Sequence, residues 1–436
     1  MNLYKTFFII ILLFAFSAHS SELDRRANWG ASFTVPAKGT AGVKIKSVKE
    51  GSPLQKAGLK IADHILLVDK KPILSSQEWY DITDGLVAGK KYTIKFNRAF
   101  KSYTKEITFE PMEKEKHPNI ETTYDQLTND YGIKQRLIIT RPNSKKSKLP
   151  AVLFLQGLSC SSIEINPNRI TPFTRLINEI VEKSNHVVLR IEKPGLGDSE
   201  GNCSETDFMT ELNGYEQAAQ YLKQLEYVDS NKITVYGNSM GSALAPYIAN
   251  KYNYTSVISD GTFVKSWFEH MLEIQRRILD FQGLNQTEIN DKLNQAYMPL
   301  YYGMLILNKS YQDVTNQYPA IASDNYHGPK HMYGRPMEYY QQLQQFDVAG
   351  EWQKLKVPAR IRWGTNDWIM SESDNDMIID ILKKAGHSDH KLHKQKGLDH
   401  WQSIHQSAKD SFDGKKGEWI PEISEVIIHW LDELNK

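Results

Sequence analysis

The stretch "KITVYGNSMGSALAPYIANKY", residues 232–252, decides how the second half of this sequence folds. It opens with a run rich in β-branched residues, passes through the pattern Gly237-x-Ser239-x-Gly241, and ends in residues that favour a helix. A serine at a sharp turn from strand to helix is lifted out of its sheet, and glycines on both sides permit the close backbone approach. The stretch therefore predicts a strand, a tight turn and a helix, with Ser239 as a candidate nucleophile rather than the tip of an ordinary turn.

Two segments further along the chain supply the partners that a nucleophilic serine needs. The run "VPARIRWGTNDWIM" predicts an apolar strand ending in a turn that holds Asp367, and "HKLHKQ" predicts a shorter strand that leads through "GLD" to His400. Serine, aspartate and histidine thus follow one another in a chain order that suits a catalytic triad. We expect Ser239 to be the nucleophile, His400 to be the general base and then acid, and Asp367 to orient the imidazole.

Two other aspartates lie near these candidates. Asp260 follows the predicted strand of "VISDGTF" and is the alternative acid, because some triads draw their carboxylate from that position. Asp399 adjoins His400 and is predicted to be a loop residue that points elsewhere. We favour Asp367 and keep Asp260 as the alternative.

From about residue 120 onward, apolar runs alternate with helical segments. "LPAVLFLQG" predicts a buried strand, "TPFTRLINEIVEKS" a helix, and "HVVLRIEKPGLGDSEG" a strand followed by a glycine-rich loop. This alternation is typical of a mostly parallel sheet covered by helices. The triad candidates each fall just past a strand, on the side where open α/β sheets place their sites.

The motifs "PAVLFLQG", "RIEKPGLGDSEG", "GNSMG", "WGTND" and "GLDH" occur together and in this order. On these motifs, residues 130–436 resemble an α/β-hydrolase of the serine esterase and aminopeptidase-like group. The resemblance implies an α/β fold and an oxyanion hole built from two backbone amides, those of Met240 and of Leu158 in the loop "QGLSCSS". Gln156 stands where this family usually has a histidine, although a backbone donor does not depend on that side chain.

The segment between "VISDGTF" and "VPARIRW" is predicted to be helical, with no strand of its own. In the α/β-hydrolase fold such an insertion often forms a cap over the nucleophile, and we place it at about residues 263–350. Its apolar side chains suit an acyl group, or alternatively they only pack the helices together. They include Tyr297, Met298, Tyr301, Tyr302 and Met304.

The cysteines of the sequence are Cys160, in the proposed oxyanion loop, and Cys203, in the glycine-rich loop after the next strand. Neighbouring strands would bring both loops to one rim, so we expect a disulfide that clamps the oxyanion loop. Two free thiols packed under the loops are the alternative.

Several histidines crowd around His400, namely His387, His390, His393 and His405. A zinc site needs ligands that converge at a fixed geometry, whereas this spacing in a strand turns successive side chains to different faces. We therefore predict solvated histidines at a strand edge, with no metal site and no cofactor.

The first part of the chain carries a different signature, "EGSPLQKAGLKIADHILLVDKKPI", residues 50–73. On this run, residues 28–112 resemble a PDZ domain of the bacterial periplasmic type, a small β-rich domain. The resemblance implies binding of a peptide C-terminus beside an edge strand, with the loop "NWGASF" at the carboxylate. A packing or dimerisation module is the alternative. Residues 113–129, which include charged and proline-bearing sequence, are the predicted linker.

The N-terminus has the composition of a signal peptide. An apolar stretch from Phe7 to Phe16 is followed by small residues, and we assign residues 1–20 to a cleaved signal, with an uncleaved anchor as the alternative. We therefore expect a periplasmic or secreted protein without a membrane span after cleavage. The net charge is +1, and without a long basic run nucleic acid is not an expected partner.

These features together predict an exported serine hydrolase that forms an acyl-enzyme. A carboxylesterase acting on a small acyl ester is the first hypothesis. A serine peptidase or aminopeptidase, supplied with peptides by the PDZ domain, is the second. A peptide-binding scaffold with an inert second domain is the third.

Overall fold

The structure is a computed structural model that describes residues 22–35, 40–166, 170–325, 327 and 331–435. The predicted signal segment, residues 1–20, lies outside these residues. Among the described helices, none combines the length and the apolar character that crossing a membrane requires.

The N-terminal region is a β-rich unit in which lysines and apolar residues alternate. In the third strand Val43 and Ile45 are buried and Lys44 and Lys46 are exposed, so one face of the strand enters the core. The sheet runs in the order β2-β3-β4-β6-β7, with antiparallel pairing. Its elements are β1 (Ala27–Asn28), β2 (Ala31–Thr34), β3 (Val43–Val48), α1 (Pro53–Lys56), β4 (His64–Val68), β5 (Lys71–Pro72), α2 (Ser76–Asp84), β6 (Lys91–Arg98), β7 (Lys101–Thr108) and β8 (Glu110–Pro111).

Aromatic side chains fill the space between β2 and α2. The ring of Trp29 lies 5.2 Å from that of Phe33, 5.2 Å from that of Trp79 and 4.7 Å from that of Phe109, measured between centroids. The rings of Phe33 and Trp79 are themselves 4.8 Å apart. The loop predicted to receive a carboxylate is therefore packed with the region's own side chains.

The larger C-terminal region begins with strands and helices that alternate as the sequence predicts. Helix caps fix where the helices start: Thr171 and Thr174 form a capping box, and the Asp207 carboxylate accepts the Thr210 amide at 2.7 Å. The elements are β9 (Ile120–Thr128), β10 (Lys134–Pro142), β11 (Leu149–Leu155), α3 (Pro172–Lys183), β12 (Val187–Ile191), α4 (Phe208–Gln224), β13 (Val228–Asn238), α5 (Met240–Tyr252) and β14 (Ser256–Asp260).

A mainly helical insertion follows β14. It contains α6 (Trp267–Phe281), α7 (Gln286–Lys292), α8 (Met298–Tyr301), α9 (Tyr311–Gln317), α10 (Ala320–Asp324), β15 (His331–Met332), β16 (Arg335–Pro336), α11 (Met337–Gln344) and α12 (Val348–Lys354), with π-helical turns on both sides of α8. The prediction of an insertion without strands is wrong at the β15–β16 ribbon. Tyr333 and Gly334 join its strands with positive φ angles of 49° and 74°, as two-residue hairpin turns require.

The chain then returns to the sheet through β17 (Ala359–Gly364), α13 (Glu372–Lys384), β18 (His390–Gln395), α14 (Ala408–Phe412) and α15 (Glu422–Leu434). The strand order is β18-β17-β14-β13-β11-β12-β10-β9. Strands from β18 to β12 are parallel, whereas β9 and β10 are antiparallel. Both faces of the sheet are covered, because Leu153 and Val235 enter one buried cluster while Val152 and Tyr236 enter another.

The N-terminal segment is fixed to the glycine-rich loop after β12. The Arg25 guanidinium contacts Glu164 and donates to both carboxylate oxygens of Asp198 at 2.9 Å. The Arg26 amide and the Arg136 guanidinium also donate to Asp198, at 2.9 and 3.1 Å. Asp198 is buried and its charge is compensated, so these bonds hold the two regions together.

Candidate active site

A strained turn presents Ser239 between β13 and α5. Its φ of 54° is unusual for a residue with a side chain. Neighbouring glycines allow the turn: a Cβ on Gly237 would lie 2.3 Å from the Gly241 carbonyl oxygen, and one on Gly241 would lie 2.2 Å from that of Leu155. The Ser239 amide donates to the Asp260 carbonyl at 2.9 Å, which ties the turn to the end of β14.

The Ser239 hydroxyl does not cap the helix that follows it, as a serine before a helix usually does. Ser239 is the N-cap of α5, yet its side chain makes no capping hydrogen bond. Its Oγ lies instead 3.0 Å from Nε2 of His400. The hydroxyl is thus aligned with a potential base while the helix N-terminus lies next to it.

His400 is held from its other nitrogen by Asp367. Nδ1 of His400 and Oδ2 of Asp367 are 2.8 Å apart. The second oxygen, Oδ1, accepts the amides of Ile369 and Met370 at 2.9 Å each, so the turn after β17 fixes the direction of the carboxylate. This arrangement places the proton of a neutral imidazole on Nδ1 and leaves Nε2 able to accept one.

The environment of His400 favours its protonated form. Burial alone would lower the pKa of His400, but the charge of Asp367 and its hydrogen bond outweigh burial, so the pKa lies above the ordinary imidazole value. A base with a raised pKa takes a proton from a hydroxyl more readily.

The alternative acid, Asp260, has other partners. Arg362 donates to both of its oxygens, at 2.8 and 2.6 Å. The Tyr236 hydroxyl and the Gln402 amide donate at 2.6 and 3.2 Å. The structure therefore brings Asp367 to the imidazole and pairs Asp260 with a guanidinium. Asp399 accepts the Ser403 amide of its own loop at 2.8 Å and the Ser411 hydroxyl of α14 at 2.8 Å.

The two residues predicted to supply an oxyanion hole, Leu158 and Met240, belong to segments that meet at Ser239. Met240 is the first residue of α5, so its N–H has no partner within the helix. Leu158 follows Gly157, which packs so closely on the nucleophile that an added Cβ would lie 2.9 Å from that of Ser239. Met240 therefore directly follows the serine, and Leu158 directly follows a glycine that packs on it.

Known protein families match both parts of the chain. The sequence profile of the alpha/beta hydrolase fold matches residues 150–401, and that of the PDZ domain matches residues 16–109. The chain belongs to the alpha/beta hydrolase fold family. The predicted fold class, with a β-rich PDZ domain before the hydrolase domain, is thereby confirmed.

Individual proteins match this chain either over a short stretch or at low sequence identity. A protein of Neisseria meningitidis named "Putative zinc metalloprotease" is 41% identical over 70 residues, and the match spans 16% of each chain. Among solved structures, an esterase of Pyrococcus furiosus is 14% identical, with 72% of this chain and 91% of that chain covered and a TM-score of 0.44. Acetyl xylan esterase 1 of Thermoanaerobacterium is 15% identical, with coverages of 73% and 89% and a TM-score of 0.43.

The loop that follows β11 is anchored by side chains that were not predicted to have a role in the site. Lys193, just after β12, donates to the carbonyl oxygen of Gly157 and lies 3.4 Å from that of Ser159. Its Nζ is also 3.2 Å from Oε1 of Glu211 on α4. The loop before and after Leu158 is therefore attached to a buried cation.

Two neighbouring side chains hold the rest of this loop. Glu192 accepts the hydroxyl of Ser162 and, at 3.3 Å, the amide of Ile163. Burial raises the pKa of Glu192 to about 7. Gln156, the residue that departs from the family pattern, donates its side-chain amide to the Ser161 carbonyl. The glutamine therefore has a structural contact inside the loop.

A disulfide joins Cys160 to Cys203, in agreement with the predicted pair. Arg335, from the β15–β16 ribbon, donates to the Cys203 carbonyl at 2.8 Å and pairs with Glu211. The loop that follows β11 is thus bound covalently to the turn after the glycine-rich loop, and through it to the insertion.

The sequence contained an indication that Lys193 contributes to the site, but it contained none for Arg335. Glu192 and Lys193 are charged residues at the end of a buried strand, at the edge of the sheet where sites form, and such residues need partners. Arg335 lies far from the site in sequence, within a segment where no strand was predicted.

The histidines near His400 do not form one cluster, although the rings of His387 and His390 lie 5.7 Å apart. His387 Nε2 lies 2.8 Å from the Val357 carbonyl, and His405 lies 3.2 Å from Asp399. Within the described ranges, no group of three or more His, Cys, Asp or Glu side chains is arranged to hold a metal ion. His270 of α6 is fully buried, and burial lowers its pKa to about 3, so its ring is neutral at physiological pH.

Apolar side chains surround the base and fill the insertion. Trp401 is 46% exposed, and its ring lies 5.7 Å from that of His400 and 5.4 Å from that of Trp368. In the insertion, the residues predicted to suit an acyl group are divided: Tyr297, Tyr301 and Met304 are buried in the core, whereas Met298 and Tyr302 are exposed.

Proposed function

We propose that this protein is a serine hydrolase that cleaves carboxylic esters through an acyl-enzyme. One observation carries the proposal: Ser239 Oγ lies 3.0 Å from His400 Nε2, and His400 Nδ1 lies 2.8 Å from Asp367 Oδ2. A serine alone is a weak nucleophile, and these two contacts are what activate the Ser239 hydroxyl.

In the acylation step, Oγ of Ser239 attacks the ester carbonyl carbon while Nε2 of His400 accepts the hydroxyl proton. Negative charge develops on the carbonyl oxygen, which the amides of Leu158 and Met240 would stabilise. The tetrahedral intermediate then collapses, the bond to the alcohol oxygen breaks, and the alcohol leaves with the proton from His400. Asp367 stabilises the imidazolium without taking its proton.

In the deacylation step, water replaces the alcohol. His400 accepts a proton from the water as its oxygen adds to the acyl carbon, and the same two amides hold the oxyanion. Collapse releases the carboxylic acid and returns the proton to Oγ of Ser239. The free enzyme is restored with no cofactor consumed.

The surroundings of His400 support an ester with an apolar group over a peptide. The exposed face of Trp401, beside Trp368, offers an aromatic surface next to the base. Such a surface suits an acyl chain or an aromatic alcohol. A peptidase remains the second hypothesis, because the hydrolase follows a PDZ domain.

For the PDZ domain we propose a packing role ahead of peptide binding. Trp29 and Phe33 pack against Trp79 of α2, so a peptide beside β2 would have to displace aromatic contacts. Peptides with a free C-terminus, titrated by fluorescence anisotropy, test this: micromolar binding to the intact protein would contradict the packing role.

We also propose export with removal of residues 1–20. The composition of the N-terminus and the Cys160–Cys203 disulfide support it, since disulfides persist in oxidising compartments. Mass spectrometry of the protein from its native cell decides: an intact N-terminus in a cytosolic fraction would contradict export.

The serine mechanism is tested with a fluorophosphonate probe on the wild type and on Ser239→Ala. We expect labelling of the wild type only, and loss of p-nitrophenyl ester hydrolysis by a factor of about 10⁴ or more in the variant. Ser323→Ala is the control, since this exposed hydroxyl donates only to the Ala320 carbonyl at 2.9 Å in the insertion, and we expect labelling to stay in place. Labelling that persists in Ser239→Ala, or a wild type that is never labelled, would refute the proposal. Aminoacyl anilides in the same assay separate peptidase from esterase.

A further inference from the structure

Lys193 is a buried cation that the triad mechanism does not use. It follows β12 and is only 1% exposed. An ammonium group is buried at considerable cost unless it is paired and hydrogen-bonded. Here Glu211 supplies the charge partner, and the Gly157 and Ser159 carbonyls supply further acceptors.

The contact with Gly157 has a geometric consequence for the neighbouring amide. The carbonyl of Gly157 and the N–H of Leu158 belong to the same peptide group, which is planar and trans, so they point in opposite directions. A donor that holds this carbonyl on one side therefore fixes the direction of the N–H on the other. Gly157 itself packs against the Ser239 side chain.

We propose that Lys193 is a positioning residue of the oxyanion hole, which orients the Leu158 amide toward the developing oxyanion. A cation at the carbonyl also draws electron density from the peptide group, which makes its N–H a stronger donor. This inference rests on the proposed serine hydrolase function and extends it to a side chain outside the triad.

Lys193 is held in place by a closed series of contacts. Glu211 pairs with Lys193 and with Arg335. Arg335 donates to the Cys203 carbonyl, and the disulfide returns from Cys203 to Cys160 in the oxyanion loop. The cation is thus fixed relative to the loop whose carbonyls it binds, as preorganisation of an oxyanion hole requires.

The charges around Lys193 give the proposal a pH signature. Burial lowers its pKa to about 8, with Arg335 acting in the same direction and Glu211 and Glu192 opposing. Since the pKa is lowered, the ammonium form is present below about pH 8 and is lost as the pH rises through that value. We expect turnover to fall on this alkaline side.

The test is Lys193→Met, which keeps the length of the side chain but removes charge and donors. We expect kcat for a p-nitrophenyl ester to fall about 10²-fold to 10³-fold, while KM changes less than about threefold. Affinity for a boronic acid, whose serine adduct bears a tetrahedral anion, should fall by a similar factor. Lys223→Met is the matched control, because Lys223 donates to the Tyr252 carbonyl at 2.9 Å outside the site.

The pH profile separates positioning from a general loss of structure. Lys193→Met should lack the alkaline fall, and thermal unfolding should show a folded protein. If Lys193→Met does not fold, Glu211→Gln is measured instead: losing the partner that raises the lysine pKa should move the alkaline fall to lower pH. A kcat within threefold of wild type, or an unchanged alkaline fall in either variant, would overturn the role of Lys193. A wild type that hydrolyses no ester and takes no fluorophosphonate label would instead overturn the proposed function.

Discussion

Asp260 and Asp367 are two buried carboxylates at the ends of adjacent parallel strands, and their partners differ. Asp260 meets the guanidinium of Arg362 and the hydroxyl of Tyr236. Asp367 meets two backbone amides and the imidazole of His400. A fixed cation already compensates the first charge, whereas the second remains available to stabilise an imidazolium. Position at a strand end therefore does not decide which carboxylate is suited to catalysis; the neighbouring cation does.

The register of the sheet creates this difference. In the pairing of β14 with β17, Asp260 lies directly beside Arg362. This register brings the two side chains together. Asp367 comes after β17 has ended, in a turn whose amides of Ile369 and Met370 face its carboxylate. One aspartate is thus bound by a neighbouring strand and the other by its own turn.

The largest expected effect comes from Asp367→Asn. The amide can keep the imidazole nearby but favours the wrong tautomer, so we expect kcat to fall by about 10⁴-fold while the protein stays folded. Ester hydrolysis and circular dichroism measure the two properties. A loss smaller than tenfold would mean that Asp367 does not orient His400, and would return Asp260 as the candidate acid.

The corresponding substitution of the other carboxylate, Asp260→Asn, should lower the stability of the folded protein. It leaves the Arg362 guanidinium buried without a countercharge, so we expect the free energy of unfolding to fall by about 3–5 kcal/mol, measured in urea. Protein that remains folded should still be labelled by the fluorophosphonate.

Asp376→Asn is the control for this substitution. Asp376 is an exposed partner of Lys394 at 2.8 Å, and its loss should cost less than about 1 kcal/mol. If Asp260→Asn abolished labelling while unfolding as the wild type does, Asp260 would have a direct catalytic role and the contrast between the two carboxylates would fail.

The sequence predicted much of this arrangement, because its signals are local or follow chain order. The strand, the tight turn and the helix around Ser239 follow from residue types, and the predicted fold is the one the family match supports. The Arg362 partner of Asp260 was not predicted, since it depends on the register of two strands 102 residues apart at the contact. A clue was present: Arg362 falls within an apolar strand, where a charged residue needs a partner.

Lys193 and Arg335 were missed for a related reason. Their contacts join β12, α4 and the β15–β16 ribbon, and the ribbon itself was not predicted because it is only two residues long on each side. Short ribbons carry too few residues for a periodic pattern. The polar contacts that hold the loop after β11 therefore could be found only from the tertiary structure.

The smallest expected effect is a shift in pH dependence. Asp367 raises the pKa of His400 above the ordinary imidazole value of about 6.5, against the opposing effect of burial. Because only neutral His400 can accept the serine proton, activity should be lost as the pH falls through that raised pKa. In Asp367→Asn the raising charge is gone, so the acid-side fall of the residual activity should move to lower pH. The measurement is kcat/KM from pH 4 to pH 8, with Asp376→Asn as the control that should not move. An acid-side fall that stays in place in Asp367→Asn would show that the charge on this carboxylate does not control the base, and that its amide-bound geometry alone distinguishes it from Asp260.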